Sequence, residues 1–217
     1  MSHERGCFHI HERGDHHCEE PHEDHRVGGP CRRPRRGGAH RIRRGNLVRR
    51  PTLEVKANPG SDYLGTLDVA SPVTVLEKKN GMAKVRIDGW SLKEYPSQIF
   101  QEAGLRIEYA SFDEEKAVKL NAKGGEKTVQ GNVWQKSSAE GWVPEASLTK
   151  DLDALWKAGA ARHADACSSC HGAPKPEHFT ANQWSSQLPV RGGRTGHTRR
   201  GNNALMFKWL QAHAKPM

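Results

Sequence analysis

The sequence predicts an α+β chain in three parts: a disordered segment over 1–50, a small β-barrel region over 51–150 and a small helical domain over 151–217. Three observations predict it. The first 50 residues mix charge with Gly and Pro and show no apolar periodicity. Between 51 and 150, short alternating runs are separated by Gly turns and punctuated by Trp. From 151 onward, apolar residues return at helical spacing.

The N-terminal segment is set apart by its charge. The chain of 217 residues carries a formal charge of +9. Residues 1–50 hold twelve Arg and seven acidic residues, and residues 191–200 hold four Arg and no acid, so these two stretches account for the whole excess. The rest of the chain is neutral, which argues against a nucleic-acid-binding body. Neither stretch contains Lys, whereas 51–190 contains thirteen Lys and only three Arg. Charge neutralisation alone does not require Arg over Lys. A shifted codon register in a GC-rich gene does produce Arg, Gly, Pro and His. Two readings are therefore open: 1–50 and roughly 189–200 are out of frame, or the first is a basic, His-rich disordered arm. Its cluster of His9, His11, His16, His17, Cys18, His22 and His25 has no paired C-x-x-C, so the expectation is adventitious metal binding at most. No apolar run of membrane-spanning length and no signal-peptide h-region is visible, so neither anchor nor export signal is expected in this chain.

In the second part, Asn80-Gly81 separates Val73–Glu77 from Met82–Ile87, a hairpin signal, with Asp88-Gly89-Trp90 closing the second run. A similar stretch returns as Thr128–Trp134 followed by Glu140-Gly141-Trp142-Val143-Pro144. Arg106–Ala110 reads as another strand. The pattern resembles bacterial SH3-like modules and predicts a small barrel or paired barrels. The Trp residues are expected to pack in the core or on the hairpins rather than to form a ligand patch.

In the third part, Leu152, Leu155 and Trp156 share one helical face, with Thr149 or Asp151 as the N-cap. A second helix is predicted over Asn203–His213, with Leu205, Met206, Trp209 and Leu210 on one face and Asn202 or Asn203 as its cap. Between them lies Cys167-Ser168-Ser169-Cys170-His171. Two thiols three positions apart on a helical turn point the same way and can add to the two vinyl groups of a haem, while His171 lies under the iron as proximal ligand. The expected cofactor is one covalent haem c held by Cys167, Cys170 and His171. Other uses of C-x-x-C fit less well. A thioredoxin-like dithiol needs a βαβ setting that is missing here. A zinc site needs two further ligands, for which His163 and His178 are available. A structural disulfide is the third alternative.

The flanking residues extend this. The run from Cys167 through His178-Phe179-Thr180-Ala181-Asn182-Gln183-Trp184 resembles the C-terminal monohaem domain of the pentahaem c-type cytochromes, members of the NapC/NirT-related family serving periplasmic trimethylamine-N-oxide and dimethyl sulfoxide reductases. The closing Lys208–Lys215 is similar to that family's end, and 51–150 to the region that precedes its last haem. The resemblance implies an electron-transfer protein rather than an enzyme. It implies a periplasmic molybdenum-containing reductase as partner, an upstream haem or a quinol chain as donor, and a periplasmic or inner-membrane-associated location. Two departures coincide with the Lys-free stretches. The membrane helix and the four further C-x-x-C-H motifs of the family are absent from 1–50, and 189–200 lacks the family's Met-containing approach to the last helix. The sixth iron ligand is consequently open between Met206, His178, His163, His197 and His213. The competing function is an SH3-like cell-envelope binding module with a zinc or redox-dithiol tail.

Overall fold

The structure, a computed structural model, describes residues 42, 45–49, 52–61, 63–121, 124–168, 172–195 and 203–217. The side chains of 52, 116 and 189–195 are outside the description. All the strands and helices below lie in one compact unit, Arg36–Met217.

Among the described residues, eleven strands precede three α-helices: β1 (Asn46–Val48), β2 (Thr52–Lys56), β3 (Tyr63–Asp68), β4 (Pro72–Lys79), β5 (Met82–Leu92), β6 (Gln98–Phe100), β7 (Glu108–Phe112), β8 (Lys119–Leu120), β9 (Glu126–Val129), β10 (Asn132–Pro144) and β11 (Leu148–Thr149), then α1 (Leu152–Cys167), α2 (Ala181–Thr195) and α3 (Ala204–Ala212). The fold is α+β, as expected. Antiparallel pairing runs β5–β6–β7–β3–β2–β10, and β10 returns to pair with β5, closing a six-stranded barrel. Closure removes the edges of these strands. The expectation left one barrel or two open, and the pairing makes one.

The hairpin at Asn80-Gly81 forms where the sequence places it, and a second turns at Gln130-Gly131, inside the run read as one stretch. Asn80 and Gly81 have φ of 50° and 73°, and Gln130 and Gly131 have 51° and 78°, the left-handed pair a two-residue type I′ turn needs. The strands are longer than their apolar runs. β5 continues through Asp88-Gly89-Trp90, where the sequence suggested an end, and β10 runs unbroken from Asn132 in the second half of the 128–134 run through 140–144, while Thr128 and Val129 belong to β9. Glycine makes the continuation possible. A Cβ on Gly89 would lie 2.4 Å from the carbonyl oxygen of Phe100, and one on Gly141 would lie 2.2 Å from Cγ1 of Val55. At each point a neighbouring strand crosses too closely for a side chain.

The N-terminal boundary differs from the expected one. Asn46–Val48 fall inside the segment assigned to disorder, yet β1 pairs with β4 and β11, and Leu47 and Val48 are completely buried. Ile42 is buried with Leu47, Ala70, Leu152, Leu155 and Ala212. A three-residue apolar stretch behind an Arg-rich run has no periodicity of its own; its order comes from strand partners and from α1 and α3.

Barrel residues such as Val55, Val85, Ile87, Ile99 and Val143 share one core with Trp184 and Leu188 of α2 and Met206, Phe207 and Leu210 of α3. A smaller cluster holds Trp90, Ala103 and Trp134. Trp90, Trp134 and Trp142 are all buried, in agreement with a packing role. Among the described residues, no helix is long and apolar enough to cross a membrane.

Candidate haem site

The site is built from the end of α1. Asp151 caps this helix, its carboxylate accepting from the Ala154 N–H at 2.9 Å, while Thr149 Oγ1 accepts from the Asp151 N–H at 3.1 Å. Both residues expected at the cap therefore take part, with Asp151 at the N-cap itself. The buried positions Leu152, Leu155, Gly159 and His163 form a stripe at helical spacing, and Cys167 follows His163 by one turn. Cys167 is the last residue of α1 and is half-buried. Cys170 and His171, which complete the motif, lie outside the described residues, as do His197 and the N-terminal His/Cys cluster.

α1 rests on α3. A Cβ on Gly159 would stand 2.7 Å from the Trp209 Cβ and 3.2 Å from the Leu205 carbonyl oxygen, so the helix axes approach as closely as they do only because residue 159 is glycine. The His163 ring lies 5.4 Å from Trp209, Trp209 lies 5.3 Å from His213, and His213 lies 5.5 Å from Trp156, centroid to centroid.

The remaining candidates for the sixth ligand occupy unlike places. His163 is 6% exposed, and its Nε2 has no hydrogen-bond partner. Burial favours its neutral form and pulls its pKa below the ordinary imidazole value. Met206 is fully buried in the core shared with the barrel. His178 is exposed, in a short 3-10 turn over Pro176–His178. His213 donates from Nδ1 to the Trp209 carbonyl at 2.8 Å, which in a neutral ring leaves Nε2 as the basic nitrogen. Among the described residues, no three His, Cys, Asp or Glu side chains gather as a metal site.

α2 lies inside the part expected to be helical, 151–217, although the sequence pattern delimits no separate helix there. Its start was nevertheless written in the sequence: the Gln183 N–H donates to Thr180 Oγ1 at 3.2 Å and the Thr180 N–H donates to Gln183 Oε1 at 2.9 Å, a capping box. The stretch after the C-x-x-C-H motif is thus structural in large part. The Trp184 indole N–H donates to the Pro176 carbonyl at 2.8 Å, and its ring meets Phe179 edge-on at 4.9 Å. Asn182, Lys208 and Gln211, which belong to the family-like runs, reach back to the barrel. Asn182 bonds the backbone at Gly104 and Arg106, Lys208 bonds the Glu108 carbonyl, and Gln211 bonds the Arg106 carbonyl.

The donor set suits a covalent haem: a helix-terminal thiol next to a motif that supplies a second thiol and an imidazole, with an apolar stripe and two Trp alongside.

Residues 47–148 match the family described as TorC third cytochrome c domain. Among curated proteins, the cytochrome c-type protein TorC of Escherichia coli strain K12 is 30% identical over 154 residues, covering 69% of this chain and 39% of that protein. The cytochrome c-type protein TorY of Escherichia coli O157:H7 is 25% identical over 154 residues, covering 70% and 41%, and that of Haemophilus influenzae is 30% identical over 132 residues, covering 60% and 36%. The chain spans about two-fifths of the length of these relatives. No solved structure matches it. The matched stretch contains no cysteine, so the thiols of the C-x-x-C-H motif lie beyond it in sequence although α2 and α3 share its core. Over residues 47–148, the chain is therefore similar to the TorC third cytochrome c domain family.

Proposed function

We propose that the chain is an electron carrier with a single haem c, attached through Cys167 and Cys170 and ligated by His171. The observation that carries this reading is the position of the motif. It begins at the last residue of a helix whose buried stripe is packed against α3, while the family-matched barrel holds no cysteine of its own. The bound group would supply one-electron redox chemistry. Cys167 and Cys170 would attach it and His171 would ligate the iron, with α1 fixing the position of Cys167. No substrate bond is made, so neither a nucleophile nor a general base is required.

The relatives support the setting. Proteins named TorC and TorY are c-type cytochromes. On this reading the acceptor is a periplasmic trimethylamine-N-oxide-type reductase containing molybdenum, the donor is an upstream haem or quinol chain, and the chain works at the periplasmic face of the inner membrane; the family resemblance supports it. The barrel is read as SH3-like on its hairpins and Gly-Trp closures.

The test is a pyridine haemochrome spectrum of the chain made behind a supplied signal peptide with the c-type maturation system present. One covalent haem per chain is expected. Cys167→Ala or Cys170→Ala should remove the double attachment, and His171→Ala should abolish the low-spin spectrum. A chain recovered folded with no covalent haem would sink the reading.

A further inference from the structure

We propose that the barrel is the template on which the haem-bearing helices fold before any cofactor is attached, and that Asn182, Lys208 and Gln211 are the positioning residues that fasten them to it. The cofactor half of this proposal rests on the haem reading above; the fastening is a property of the haem-free chain.

Segment 104–108 leads into β7 and leaves backbone groups to be satisfied. Extended backbone turns alternate residues to opposite edges. On one side, the Ile107 carbonyl accepts from the Gln101 N–H at 2.9 Å, continuing the β6–β7 pairing. On the other side, β3 pairs with β7 at Ala110, Ser111 and Phe112 and ends at Asp68, so it does not cover 104–108. Those backbone groups need other partners. Three side chains supply them where the strand has run out. The Asn182 carboxamide acts as a peptide group would: its Oδ1 accepts from the Arg106 N–H at 2.7 Å and its Nδ2 donates to the Gly104 carbonyl at 2.7 Å. Gln211 Nε2 donates to the Arg106 carbonyl at 2.7 Å. Lys208 Nζ donates to the Glu108 carbonyl and stands 3.4 Å from Asp68 Oδ2, at the end of β3.

Asn182 sits on α2, Lys208 and Gln211 on α3, and Gln211 ties the two helices together. Its amide also lies 3.2 Å from the Ala181 carbonyl and 3.2 Å from Ser185 Oγ, both on α2. Gln211 is 1% exposed and Lys208 2%. Polar groups this deeply buried are bonded specifically or they destabilise. α1 is then held through α3, by the close approach at Gly159 and the His163–Trp209 contact. The chain of attachment runs from the barrel edge to α2 and α3, then to α1, then to Cys167, and none of its links includes a haem atom.

The experiment is hydrogen exchange on the full-length chain made without the maturation machinery, hence haem-free. Amides of α3 and of the first half of α2 should be protected to within an order of magnitude of those in β5 and β10. Asn182→Ala and Gln211→Ala should each speed exchange in α2 and α3 roughly ten-fold or more, from the loss of a buried partner. Should Gln211→Ala unfold the barrel too, Asn182→Ala, at the half-exposed rim, decides alone. Exchange of α3 at the rate of an unstructured peptide in the haem-free chain would overturn the proposal, as would unchanged exchange in α2 and α3 of the Asn182→Ala chain. Neither outcome depends on whether haem binds, so failure here is distinct from failure of the haemochrome test.

Discussion

An imidazole buried against Trp209 without a partner for Nε2 gives His163 a definite response to pH. Burial depresses its pKa in the folded chain, while the unfolded chain keeps the ordinary value near 6.5. Above that value the ring is neutral in both states and has no pH-dependent effect. Below it, the unfolded chain binds a proton that the folded chain refuses, so stability falls with pH until the folded pKa is passed. His163→Phe keeps a flat ring beside Trp209 and removes both the titration and the unpartnered nitrogen. Between pH 7.5 and 5, the denaturant midpoint should therefore drop less in this variant than in the parent chain. At pH 7.5 the variant should be at least as stable, since the parent leaves a buried nitrogen unbonded at a cost of about 1–3 kcal/mol. An equal acid drop in both proteins would mean that other groups govern it.

At the scale of elements, Gly159 sets the α1–α3 distance. Replacing a helical glycine by alanine ordinarily stabilises by about 1 kcal/mol. Here the new Cβ meets the Trp209 Cβ and the Leu205 carbonyl oxygen, neither of which is the free end of a flexible side chain. Overpacking of this kind costs about 1–3 kcal/mol, so the steric effect outweighs the propensity gain. Gly159→Ala should lower the urea midpoint, whereas a raised midpoint would show that the helices separate freely. How far such elements could be read in advance depended on how local their cause was. Asn80-Gly81 announces its hairpin because few residue pairs accept two positive φ angles. The capping box of α2 is as local, but Trp184 and Leu188 alone give no long apolar period. Closure of β5 on β10 joins residues about fifty positions apart, and β1 is ordered only by what surrounds it. At the site, the C-x-x-C-H spacing is the signal for Cys167, Cys170 and His171, of which only Cys167 lies among the described residues. The burial of Lys208 and Gln211 depends on a strand edge a hundred residues upstream, which no helical period reveals.

Taken as a whole molecule, the chain has no folding boundary at the place where its family match ends. The match stops at 148 and the sequence pattern changes at 150, but the largest apolar cluster contains Val55, Ile87 and Val143 of the barrel together with Trp184, Met206 and Leu210 of the helices. Separating the two would expose both halves of that cluster, at about 25 cal/mol for each Å² of apolar surface, and would strip the buried partners from Arg106 and Glu108. A partly unfolded state with an intact barrel and melted helices is thus penalised twice. Unfolding should be two-state in the sense that probes in different places report one transition. In the haem-loaded chain, the Soret band follows the segment carrying Cys167, and far-ultraviolet circular dichroism is dominated by the barrel strands together with the helices. Urea curves from the two signals should superimpose, with one midpoint and one slope. A Soret transition at clearly lower urea than the dichroism would show that the helical part comes away first, and the barrel would then be a separate module to which the haem segment is only loosely attached.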